Sequence, residues 1–168
     1  MKIALCMGSL IAAALMSLGP VNAEFRPVDS AECKEITARI VQEVGAQFDK
    51  YSPSGMAVFF KDPGMTLSCT SHRLTGISTS WDRNAFPNNW WFTIVAKAGH
   101  AVTGVDTAVL DQALRKCRQD AINEATEMAD IDVVNARIEC QAFTRDGGGV
   151  FMSVWINDHE TRKGIEER

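Results

Sequence analysis

Between residues 29 and 51 apolar side chains recur at Cys33, Ile36, Ile40, Val41, Val44 and Phe48, spacings that line one face of an α-helix. Asp29, with Glu32 three residues later, reads as a capping-box start, and the Ser52-Pro53-Ser54-Gly55 cluster marks where this helix must have ended. Two short runs follow, 56–61 and 65–70, separated by Asp62-Pro63-Gly64, a turn in which Pro presets the first central dihedral and Gly supplies a positive one. They predict a β-hairpin whose second arm sends Met65, Leu67 and Cys69 inward. A weaker strand is expected near Ile77 to Trp81, then a loop holding Pro87.

The segment NNWWFTIVAK, residues 88 to 97, is rich in aromatic and β-branched residues and reads as a further strand. Strand alternation would place Trp90, Phe92, Ile94 and Ala96 in the core and turn Trp91, Thr93, Val95 and Lys97 the other way. A second helix is predicted from Asp106 as N-cap, with Val109 or Leu110, then Ala113, Leu114, Cys117, Ala121, Ile122, Ala125 and Met128 on its buried stripe. The clearest register comes last. Val134, Ala136, Ile138, Cys140 and Ala142 alternate with polar residues, a turn spans Arg145 to Gly149, and Val150, Met152, Val154 and Ile156 return on the same apolar face.

The order α-β-β-(β)-β-α-β-β predicts a single α+β domain over residues 24–157, with two helices on one face of a mostly antiparallel sheet. A polar stretch, 158–168, follows with only Ile165 to bury, and is expected to fray. Helices on one face leave the other face open. There the alternation gathers Trp91, Phe143, Phe151 and Trp155, among Lys97, Arg137, Glu139 and Gln141. Aromatic side chains can bury about 150–250 Å² each, so four together exceed the few hundred Å² of contiguous apolar surface usual on a soluble monomer. Either the polar loop 72–89 or the chain termini fold over them, or a partner does.

The N-terminus bears on compartment. Lys2, an apolar stretch from Ile3 to Leu18, then Gly19-Pro20 and the small ending Val21-Asn22-Ala23 follow the order of a cleaved secretory signal, residues 1–23. The apolar run falls short of the ~20 residues that a spanning helix needs. The expected mature protein is therefore periplasmic or secreted, not membrane-spanning, and begins at Glu24. Without Lys2 it carries 16 basic against 21 acidic side chains, scattered, which argues against a nucleic-acid partner.

Cys33, Cys69, Cys117 and Cys140 remain after cleavage, an even count that predicts two disulfides in an oxidising compartment. Each half of the chain offers one cysteine on a helix and one at an inward strand position, so Cys33–Cys69 and Cys117–Cys140 are the expected pairs. No paired zinc-ligand spacing is present, and neither a metal nor a cofactor is expected.

Three histidines are the natural general bases. His72 has Ser71 beside it and His100 lies between glycines, which makes them the weak catalytic candidates; His159 falls in the polar tail. There is no G-x-S-x-G elbow, and Gly147-Gly148-Gly149 links two strands with no helix to hold a phosphate. The functional expectation is an exported binding protein of inhibitor or accessory-subunit type that recognises a protein or glycan through Trp91, Phe143, Phe151 and Trp155. A small hydrolase using His72 or His100 is one alternative. Self-association as a homodimer through the aromatic face is the other.

Overall fold

The computed structural model describes residues 26–145 and 147–157. The expected signal segment, the expected mature start, the polar tail and His159 lie outside them. A 3₁₀ turn at Pro27–Asp29 precedes helix α1, Ala31–Val44. Because Asp29 closes that turn, the N-cap is Ser30, whose hydroxyl accepts from the Cys33 amide at 3.1 Å. Gly45, at φ 77°, ends α1 in the left-handed conformation that glycine adopts without strain.

Strand β1, Gln47–Tyr51, therefore begins inside the stretch expected to be helical. Next come β2, Ala57–Lys61, and β3, Met65–Cys69, the predicted hairpin; Asp62, not Gly64, takes its positive φ. Strand β4, Thr75–Trp81, is followed by helices α2, Asn89–Thr103, and α3, Thr107–Asn123, then by β5, Met128–Val133, β6, Ala136–Phe143, and β7, Gly149–Ile156. All seven strands form one antiparallel sheet in the order β1-β2-β3-β4-β7-β6-β5.

The α+β class and the helix-covered antiparallel sheet agree with the sequence reading; the strand expected at 88–97 does not. That segment is the first part of α2, a third helix between the two expected. Pro87 precedes it, the Asn88 carboxamide accepts from the Trp91 amide at 3.0 Å, and Gly104 at φ 73° closes it. Over its full 15 residues the buried positions Trp91, Ile94, Val95, Ala98 and Val102 follow helical spacing. The expected roles of the two tryptophans thus reverse: Trp91 is 3% exposed and Trp90 is 57% exposed.

The core lies between sheet and helices. Helix α2 crosses β4 and β7, while α3 lies over β5 and β6. The Trp91 ring meets Trp81 edge-on at 6.3 Å and Phe92 at 5.4 Å, an arrangement that aromatic quadrupoles favour. At Gly99 a Cβ would stand 3.1 Å from Leu110 and from Val154, so the missing side chain lets α2 approach both. The two expected disulfides are present: Cys33–Cys69 ties α1 to β3, and Cys117–Cys140 ties α3 to β6.

Candidate functional site

On the face away from the helices, the strand registers align one row of side chains across all seven strands: Lys50, Phe59, Thr66, Ser78, Ser153, Glu139 and Asp130. Its chemistry changes from edge to edge. Lys50 sits 5.9 Å from the Phe59 ring centroid, close enough for a cation–π contact. In the middle the Ser78 and Ser153 hydroxyls are hydrogen-bonded at 2.9 Å. At the far edge Arg137 joins Asp130 at 3.2 Å and Glu139 at 3.3 Å, two partly exposed ion pairs worth little in stability but able to fix the guanidinium.

Phe151, from β7, stands in the neighbouring row opposite Ser80 and Gln141, and is 40% exposed. It forms a wall between two hollows. One, about 720 Å³, runs from Phe151 past Ser80, Ser78 and Thr66 to Phe59 and Lys50. The other, about 290 Å³, lies towards Gln141, Glu139 and Met128.

Trp155 is held flat. It stands opposite Gly76 on β4, where a Cβ would come within 2.2 Å of the indole, and its Nε1–H donates to Glu139 at 3.0 Å. Glycine is required there because the ring occupies the space above its Cα. Phe143, 44% exposed, sits near the β6–β7 turn opposite Gly149.

Of the four side chains expected on this face, Phe143, Phe151 and Trp155 are there. Trp91 is not, because in a helix it points at the sheet's other face. Phe59 was missed, although its signal was present: with Val58 and Phe60 inward, alternation turns Phe59 outward.

The question of a cover is answered for loop 72–89. Residues 75–81 are β4 itself, and the stretch after it packs towards α3: the Ala85 carbonyl accepts from Arg118 Nε at 2.8 Å, and Phe86 lies beneath that guanidinium. Residues 82–89 line neither hollow, and the start of the loop meets the open face where the Leu74 carbonyl accepts from the Ser68 hydroxyl at 3.0 Å.

The histidines are placed elsewhere. His100 Nδ1 is 2.8 Å from the Val105 carbonyl oxygen, a bond that fixes the chain leaving α2. His72 Nδ1 is 2.7 Å from Glu32 Oε1, tying the 3₁₀ turn before β4 to α1 beside the Cys33–Cys69 bridge. This pair borders a polar depression of about 380 Å³ that also includes Arg39, Thr103 and Asn135. Among the described residues the hydrogen-bond partner of His72 is the Glu32 carboxylate and that of His100 is the Val105 carbonyl, and no serine hydroxyl bonds to either ring. No described helix is long and apolar enough to cross a membrane.

No family model, curated protein or solved structure matches the chain.

Proposed function

We propose that this chain is a small exported binding protein, of inhibitor or accessory-subunit type, that recognises another exported protein or a glycan through its open sheet face. The observation that carries the reading is Phe151 standing exposed between two hollows, with Phe59 across the larger one. Rings so placed can desolvate a ligand's apolar surface, whether a side chain or the face of a sugar. Thr66, Ser78 and Ser80 offer donors and acceptors between them, and the change from Lys50 to Asp130 and Glu139 gives the ligand a direction to read.

A sheet tied to its helices by two disulfides loses little conformational freedom on binding, which favours affinity. The same bridges support an oxidising compartment, periplasmic or extracellular.

The test is affinity capture from the exported fraction, alongside a printed glycan array, with mature protein and its Phe59→Ser/Phe151→Ser variant. A ligand retained by wild type and lost by a variant of unchanged circular dichroism supports the reading; equal retention overturns it. The Glu32–His72 pair keeps a hydrolytic second reading in play. Under the binding reading His72→Ala leaves capture unchanged, whereas a hydrolase would lose its activity. If sedimentation shows a dimer that the double variant dissolves while capture persists, the face serves self-association instead.

A further inference from the structure

The most exposed aromatics of the described chain are not on the open face. Phe86, at 66% exposure, and Trp90, at 57%, flank the first turn of α2 on the opposite side of the sheet. Three arginines lie near the loop and first turn: Arg83 in the loop before α2, and Arg115 and Arg118 on α3. Arg115 is committed: both ends of its fork hold Asp111, its Nη1 donates to Asn89 at 2.9 Å, and its guanidinium lies 4.5 Å from the Phe92 ring.

Arg118 and Arg83 are different. Arg118 stacks over Phe86 at 4.9 Å and uses Nε on the Ala85 carbonyl, and Arg83 lies over Trp81 at 5.3 Å. Among the described residues no carboxylate forms an ion pair with either. Burial lowers the Arg118 pKa, a sign that this cation is partly stripped of water without a compensating anion.

The backbone adds the same sign of charge. Helix α2 begins here with no acidic residue of its own in its first turn, so no carboxylate of that turn offsets the partial positive charge of its N-terminus. The nearest acid in sequence, Asp82, accepts from the Ser80 hydroxyl at 3.2 Å. On a chain of net charge −4 this is a locally cationic corner with two bare aromatic rings.

We propose that this corner is a second docking surface, and that its occupant is an acidic segment of a partner polypeptide in which carboxylates alternate with large apolar side chains. Arg118 presents its two terminal NH₂ groups in the planar fork that matches a carboxylate, already oriented by Phe86 and the Ala85 carbonyl. Arg83 takes a second carboxylate. Phe86 and Trp90 cover the apolar side chains between them. Arginine and tryptophan are the residue types in which interface free energy concentrates. A polyanion such as nucleic acid fits less well, since two free arginines neutralise few phosphates and the chain's net charge opposes the rest.

The experiment follows the four tryptophan indole N–H signals by ¹⁵N–¹H correlation in the disulfide-bonded mature protein, as a capped pentapeptide alternating glutamate with leucine and phenylalanine is added. The expected result is a saturable shift of the Trp90 signal at submillimolar peptide, with Trp155 unmoved. The matched glutamine peptide should bind at least roughly tenfold more weakly. Arg118→Gln and Arg83→Gln should each weaken binding several-fold. Trp90→Ala, a change at an exposed position that leaves the fold intact, should do the same, read then from the Arg83 and Arg118 Nε–H signals.

Equal binding of the glutamate and glutamine peptides overturns the proposal. So does the absence of any saturable shift, movement of the Trp155 signal alone, or a Trp90 shift produced by an oligogalacturonate and not by the peptide. Because Arg118 also braces the 82–88 loop, retention of full affinity by Arg83→Gln and Trp90→Ala counts against it whatever Arg118→Gln does.

Discussion

Trp90 and Trp91 show how one residue's fate depends on the period of the element that holds it. Over ten residues, 88 to 97, strand alternation and helical spacing both accommodate the apolar positions, and aromatic and β-branched content favours the strand. What decides is the run beyond the window, Ala98, Ala101 and Val102, which extends the buried face over four turns. Trp91→Ala should therefore cost roughly 3–5 kcal/mol through lost transfer and an unfilled cavity, while Trp90→Ala should stay within about 0.5 kcal/mol. Denaturant melts of the two variants measure this, and equal midpoints would refute it. Gly76 makes a prediction of the opposite kind. Gly76→Ala places a methyl where the Trp155 indole lies, so the ring must lift off the sheet and lose its bond to Glu139. The expected loss is about 1–3 kcal/mol, as for other overpacked sites, together with a shifted Trp155 indole signal; an unperturbed signal would mean that the ring does not rest there.

At the scale of elements, β6 was legible because it is half-buried and alternates without interruption, which pins its register, and β7 follows from it as the returning arm of the same hairpin. The edge strands were not. β1 is exposed at every position, so burial leaves no period in QFDKY, and Phe48 happened to extend the helical stripe of α1. β5 does alternate, with Ala129, Ile131 and Val133 half-buried, but Met128 fitted the stripe of α3. Both edges carry features that discourage chance pairing: a register shift between Phe48 and Lys50 on β1, and Asp130 and Asp132 on β5. The cysteine pairing was legible from burial alone, one inward strand position and one helix stripe in each half. The bridges close segments of 36 and 23 residues, so their entropic contributions should differ by less than about 0.5 kcal/mol. Cys33→Ala/Cys69→Ala and Cys117→Ala/Cys140→Ala should each lower stability by roughly 2–5 kcal/mol, as read from denaturant midpoints. A pair whose removal leaves the midpoint unchanged would contradict a structural role for that bridge.

The whole molecule has two unlike sides. One is a continuous core from Val28 through α2 to Val154. The other is a sheet face with a cation at one edge, hydroxyls in the middle, acids at the far edge and Phe151 rising between two hollows. Three of the four expected aromatics on that face were legible because they lie on strands whose register was clear. Phe59 required the same alternation to be followed into the first hairpin, and the hollows required the order in which the strands assemble, which no local pattern contains. Photo-crosslinking tests the central claim most directly. The mature protein, with photoreactive benzoylphenylalanine in place of Phe151, is irradiated in the exported fraction together with a control carrying it at Gln42, exposed on α1. The account predicts a discrete adduct from position 151 that is absent from position 42 and is competed away by unlabelled wild-type protein but not by the Phe59→Ser/Phe151→Ser variant; no adduct at 151, or the same adduct from both positions, would contradict it.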